Sequence, residues 1–152
     1  MSHATRRVLI AEDEEIVRWG VRAVLEACGD VEVVAEAASG RIALEEARRT
    51  HPDIAIVDYS MPDMNGVDLI VALKRELPRT EILLYSVYES EKLVLEVLRA
   101  GGRGYVPKSD TETHLLPAID ALSMHQPYFS DRIPQALLEH LLDSSPVAGK
   151  TS

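Results

Sequence analysis

Short, unbroken apolar runs constrain this chain more than any other feature. They are Val8-Leu9-Ile10-Ala11, Val33-Val34-Ala35, Ile54-Ala55-Ile56-Val57 and Ile82-Leu83-Leu84-Tyr85, with Gly104-Tyr105-Val106 as a weaker fifth. A run of this length without polar alternation reads as a strand covered on both faces, which a parallel sheet demands. Helical periods lie between the runs. Val17, Val21, Val24, Leu25 and Cys28 share one face, and Gly66, Ile70, Leu73 and Leu77 share another before Pro78. Leu93, Val94, Val97 and Leu98 form a stripe closed by Gly101-Gly102, and Leu115, Ile119 and Leu122 form the next. The helix between the second and third strands has the faintest pattern, with Ala43, Leu44 and Ala47 as its apolar residues. Strands alternating with helices predict a doubly wound α/β domain around a five-stranded parallel sheet. Right-handed crossovers then bring the carboxyl ends of all the strands to one rim, where ligands bind in this architecture.

The remaining features bound the function. A chain of 152 residues is long enough for one compact domain with its own core. The single cysteine, Cys28, excludes a disulfide framework, fits a reducing compartment, and is expected to be a core thiol. No apolar run approaches the roughly 20 residues of a membrane span, and no signal-peptide core precedes the first strand, so a cytoplasmic location is expected. A formal charge of -9 argues against this stretch gripping a nucleic-acid backbone. His3, His51, His114, His125 and His140 lack metal-ligand spacing. Trp19 falls at the edge of the first helix stripe and is expected to be partly buried. Beyond Gln126-Pro127, Ile133, Leu137, Leu138, Leu141 and Leu142 predict an additional helix over 127–143, either a packing appendage or a connector, followed by a flexible tail or linker start over 144–152.

The strand ends carry the chemistry. The first strand ends in Glu12-Asp13, the third in Asp58 and the fourth in Ser86, and Lys108 follows the fifth. Parallel strands bring these residues to one rim, where clustered carboxylates repel and resist desolvation. A hard divalent cation together with a lysine offsets that: Glu12, Asp13 and Asp58 carry -3, and Mg2+ with Lys108 carries +3. Such a site suits phosphoryl transfer, with Asp58 as carboxylate nucleophile, Lys108 offsetting charge on the phosphoryl oxygens, and the Ser86 hydroxyl donating to the new group. Taken singly, each residue has a plainer reading as a helix-terminal charge, a turn residue or a surface lysine; together they point to a site.

The ordered set resembles response-regulator receiver domains. Asp58-Tyr-Ser-Met-Pro-Asp-Met-Asn-Gly66 resembles the family's phosphoacceptor segment, Ala11-Glu12-Asp13-Glu14-Glu15 its acidic cluster, Ser86 its Thr/Ser position and Lys108 its strand-five lysine. The resemblance covers about residues 7 to 125, and the receiver domain is expected over 1–126. It implies a flavodoxin-like fold with strand order 2-1-3-4-5. It also implies Asp58 as phosphoacceptor, Asp13 as direct Mg2+ ligand, Glu12 acting mostly through water and the Ser60 carbonyl as a further ligand, with Mn2+ able to substitute. Ser86 and Tyr105 would be the switch pair, and the fourth helix, fifth strand and fifth helix the output face. The implied partners are a sensor histidine kinase as phosphoryl source and a second copy in a homodimer formed on phosphorylation.

Glu15-Ile-Val-Arg-Trp-Gly-Val-Arg-Ala-Val-Leu25, Val33-Val-Ala-Glu-Ala-Ala-Ser-Gly40 and Ala100-Gly-Gly-Arg-Gly-Tyr-Val-Pro-Lys108 are similar to NarL/FixJ-type (LuxR-type) regulators. The expectation is therefore the receiver part of a transcription factor whose DNA contacts lie in a helix-turn-helix domain absent from these residues. The alternative is a stand-alone or phosphorylation-independent receiver acting as a protein-interaction module. Three departures stand out. Ser109 rather than Pro follows Lys108, so a trans peptide is expected there. Ser takes the commoner Thr position at 86. Val87 and Tyr88 add bulk beside the site, which predicts restricted phosphatase access or slow hydrolysis. Sustained enzymatic turnover is not expected, because Ser60 offers no acid to protonate a leaving group.

Overall fold

A computed structural model describes residues 5–88 and 90–129. The order of elements is β1 (Arg6–Ala11), α1 (Glu15–Glu26), β2 (Val31–Ala37), α2 (Gly40–Thr50), β3 (Ile54–Asp58), α3 (Gly66–Glu76), β4 (Glu81–Ser86), α4 (Glu91–Ala100), β5 (Gly104–Pro107), α5 (Thr111–Ser123) and β6 (Tyr128–Phe129). Every paired strand is parallel, and the sheet order is β2-β1-β3-β4-β5-β6. The expected five-strand order is thus extended by one strand, with Tyr128 and Phe129 pairing to Gly104 and Tyr105. Two residues with no alternation of their own leave no periodic signal in a sequence. The helix read over 127–143 is corrected at its start, where Tyr128 and Phe129 form β6 instead; its apolar residues from Ile133 on, the tail, His3 and His140 lie outside the described residues.

Each apolar run is a buried strand because both its faces are covered. One core packs α2, α3 and α4 against Leu9, Ala55, Val57, Leu84 and Tyr105. The other packs α1 and α5 against Val8, Ile10, Ile56, Tyr85 and Val106. Alternate residues of each strand therefore belong to alternate layers. Helix starts are set by local chemistry. Ser39 Oγ accepts from the Ile42 amide at 3.2 Å, Asn65 Oδ1 from that of Asp68 at 2.8 Å and Ser90 Oγ from that of Leu93 at 3.0 Å. The α4 stop at Gly101 uses a left-handed residue (φ 106°), which glycine adopts without steric penalty.

Two expectations are corrected at α1. The ring of Trp19 is 54% exposed beside Ile16, because the stripe of Val17, Val21 and Leu25 takes the core side. Cys28 lies just past the helix end and is half-buried rather than enclosed, packed against the α1/α5 layer with its Sγ also donating to Asp30 Oδ1 at 2.9 Å. Among the described residues no peptide bond is cis and no helix is long and apolar enough to cross a membrane.

Candidate functional site

The alternation of faces assembles the rim. Ile10, Ile56 and Val106 point toward the α1/α5 layer. Two residues further on stand Asp58, at the end of β3, and Glu12 and Lys108, just past the ends of β1 and β5, and the ion pairs of Lys108 with both acids put all three on one side. Tyr85, paired in register with Asp58, joins them there. Ser86 is one residue on and belongs with Leu84 and Tyr105 on the other side.

These groups converge closely. Carboxylate oxygens of Glu12, Asp13 and Asp58 all lie within 4.8 Å of one another. Lys108 Nζ stands 2.8 Å from Glu12 Oε1 and 3.1 Å from Asp58 Oδ1. Glu12 is 1% exposed and Asp58 4%, whereas Asp13 faces solvent. Burial pushes Glu12 above the usual carboxylate range, and the Lys108 ammonium and the Glu14 amide, 3.0 Å from Oε2, oppose this only in part. Burial alone would lower the Lys108 ammonium, but its bond to Glu12 and the charges of Asp58 and Glu12 outweigh that and raise it above an ordinary lysine. It is therefore a fixed cation between two buried acids.

Three carboxylates against one ammonium leave a formal surplus of -2, on hard oxygen donors with one open side. That donor set fits Mg2+, which prefers carboxylate oxygens and retains water on its free positions. Ser60, expected to add its carbonyl, lies exposed in the loop after Asp58, which bridges back through Ser60 and Asn65. The Gly66 amide donates to the Tyr59 carbonyl at 2.7 Å, and a Cβ at Gly66 would stand 2.6 Å from the Asp58 carbonyl oxygen. Only glycine lets α3 start this close to the acid, which explains the spacing of Gly66 from Asp58.

Both switch candidates are buried. Ser86 is 1% exposed, and its Oγ accepts from the Tyr88 amide at 3.0 Å, leaving the hydroxyl proton free to donate elsewhere. Tyr105 is buried in the α2/α3/α4 layer. Val87 and Tyr88 are exposed, and the Tyr88 ring stands edge-on to Tyr59 with centroids 5.7 Å apart.

Sequence reasoning passed over several residues that shape the site. Arg18 donates to the Glu12 carbonyl at 2.7 Å and to Glu36 at 2.9 Å, so α1 and β2 together hold the end of β1. Asp63 accepts from the amides of Gly40 and Arg41 at 2.8 and 2.9 Å, tying the loop after Asp58 to the start of α2, and those bonds hold its carboxyl below the usual range. Tyr85 and Thr111 contact Lys108 from below. Tyr85 reads in sequence as the last apolar residue of a run, and nothing local marks it otherwise. Burial raises its phenol above the usual value, so it stays a protonated donor.

The chain is similar to known response regulators. VraR, a response regulator of Staphylococcus aureus, is 32% identical over 129 residues, which are 85% of this chain and 62% of VraR. This chain thus spans less than two thirds of that relative's length. A two-component response regulator of the LuxR family from an Aurantimonas species superposes with a TM-score of 0.83 at 31% identity, over 90% of this chain and 98% of that one. The signal receiver domain of NarL from Mycobacterium tuberculosis superposes with a TM-score of 0.77 at 34% identity, over 82% and 100%. Residues 8–120 match the response regulator receiver domain family, and the chain belongs to it.

Proposed function

We infer that Asp58 accepts a phosphoryl group from a sensor histidine kinase in a Mg2+-dependent reaction, and that this switches a surface for a partner or a second copy of the chain. The carrying observation is Lys108 Nζ lodged between the buried carboxylates of Glu12 and Asp58, with Asp13 alongside. In the transfer, an Asp58 oxygen forms the new bond to phosphorus as the bond to the donor nitrogen breaks, and the imidazole keeps that electron pair. Glu12, Asp13, Asp58 and the Ser60 carbonyl would hold Mg2+, which when bound offsets charge on the phosphoryl oxygens. Lys108 is already within reach of Asp58 and would pair with another of those oxygens. The free proton of Ser86 would serve a third, drawing the hydroxyl from the Tyr88 amide and releasing that loop. Tyr105, on the same side of the sheet, would follow into the space vacated.

The output belongs to the longer protein of which this chain would be the receiver part. Its kinship with a LuxR-family regulator supports a transcriptional output; in this proposal the output runs through a helix-turn-helix DNA-binding domain and a dimer formed on phosphorylation, in the cytoplasm. The chain would be a phosphoacceptor rather than a turnover enzyme, because the loop after Asp58 offers exposed Ser60 where a leaving group would need an acid.

Intact-mass measurement after incubation with acetyl phosphate and Mg2+ tests this reading. The expected result is one added phosphoryl group, absent without the metal and absent in Asp58→Asn. Modification that persists in Asp58→Asn, or none from acetyl phosphate or any kinase donor, would overturn it.

A further inference from the structure

Tyr85 reaches Lys108 by two routes, directly through its ring and through Thr111 by its hydroxyl. Its ring lies beneath the ammonium, with Nζ 5.5 Å from the ring centroid. Its hydroxyl shares a hydrogen bond with Thr111 Oγ1, and Thr111 Oγ1 stands 3.1 Å from the Lys108 carbonyl oxygen. A threonine hydroxyl has one proton, and a carbonyl can only accept. Thr111 therefore donates to Lys108 and receives from Tyr85. The resulting chain runs from the phenol through the Thr111 hydroxyl to the backbone of the lysine.

This arrangement exceeds what core filling needs. Tyr85 is 4% exposed in a layer otherwise built from Val8, Ile10, Ile56, Val106 and Leu115. A leucine or phenylalanine there would fill space without burying a hydroxyl. The ring face attracts a cation, but less strongly than the two carboxylates 2.8 and 3.1 Å away. Its contribution is direction: it closes the space below the ammonium, while the Thr111 bond fixes the backbone from which the side chain starts.

The geometry points to Tyr85 as a positioning residue for Lys108, acting through its ring on the ammonium and through Thr111 on the backbone. The inference rests on the reading of Asp58 as phosphoacceptor, but part of its test does not. In unphosphorylated, Mg2+-free protein, the ring should shift the NMR signals of the terminal Lys108 methylenes. That shift should persist in Tyr85→Phe and vanish in Tyr85→Leu. With acetyl phosphate and saturating Mg2+, Tyr85→Leu should slow phosphorylation about tenfold, the kinetic equivalent of a lost cation–π contact. Tyr85→Phe and Thr111→Val should slow it less and equally, and Thr111→Ser should restore it. Unchanged Lys108 signals in Tyr85→Leu would overturn the assignment. So would a Thr111→Ser protein as slow as Thr111→Val, or rates that follow melting temperature alone across these variants and a core control such as Leu83→Ala. A wild-type protein that accepts no phosphoryl group would sink the phosphoacceptor reading, and the methylene signals would still decide the role of Tyr85.

Discussion

The two ends of the sheet differ in a way that cavity size hides. The amino-terminal end carries the larger hollow, about 1210 Å³, lined among others by Arg6, Asp30, Asp53, Glu81, Asp120 and His125. At the carboxyl-terminal end a hollow of about 400 Å³ lies beside Tyr59 and Tyr88. Charge reverses the ranking. In the large hollow Arg6 pairs with Asp30 at 2.7 Å and with Asp120, and Glu81 Oε2 lies 2.6 Å from His125 Nδ1. Lys74 caps the carbonyls of Pro78 and Thr80 at 2.8 and 2.9 Å. Asp30, Asp120 and Glu81 thus have bases beside them, and Asp53 accepts the Arg7 amide at 2.9 Å. At the rim one lysine serves the two buried carboxylates of Glu12 and Asp58, and a third carboxylate, Asp13, stands beside them. Buried charge left without a partner is costly to a fold, so where it persists it marks a place that something else completes.

The strongest way to break this contrast is to titrate Mg2+ while following thermal unfolding. Mg2+ at about 100 times its Kd should stabilise the protein by about 2.7 kcal/mol. Asp13→Asn should weaken Mg2+ binding at least about tenfold and remove much of that gain, whereas Glu81→Gln should leave it intact. Equal loss from both substitutions would show that the rim is no more a cation site than the opposite end.

A second, comparable effect should appear without metal. Glu81→Ala deprives His125 of its partner and the half-buried Lys74 of a compensating charge. Denaturant unfolding should report a loss of about 1–3 kcal/mol.

The smallest effect sharpens the comparison through its opposite sign. Glu12→Gln in Mg2+-free buffer should raise the melting temperature by a few degrees at neutral pH, because burial disfavours the charged carboxylate. A carboxyl whose folded pKa is raised binds its proton more tightly in the native state, so its unfavourable contribution is complete above the folded value and fades as pH falls toward 4.5 and below. The advantage of Glu12→Gln over wild type should shrink across that window. An advantage unchanged down to pH 4 would place its origin in packing instead.

Much of the fold was legible because burial on both faces writes itself as unbroken apolar runs. All five runs are strands, and the observed ends differ by a residue or two, as with Arg6 and Arg7 before Val8. The convergence of Glu12, Asp13, Asp58 and Lys108 followed from topology, since each stands at the end of a parallel strand. What stayed hidden depends on contacts between strangers in the chain. Arg18 meets a carbonyl of Glu12, Asp63 meets the amides of Gly40 and Arg41, and Thr111 meets Tyr85. No spacing rule connects such pairs, because each requires two elements to be docked first. β6 escaped notice for a different reason, since two residues cannot show a period.

The alternation along β4 also sets where the protein is brittle. Ile82, Leu83 and Leu84 can be exchanged among aliphatic side chains of similar volume at modest expense. A one-residue insertion or deletion in the same strand is another matter, because it carries every later side chain to the opposite layer. The phenol beneath Lys108 and the hydroxyl held by Tyr88 would then each face the wrong side of the sheet. Indels in β4 should therefore be far rarer among working variants than substitutions, whatever residue they introduce.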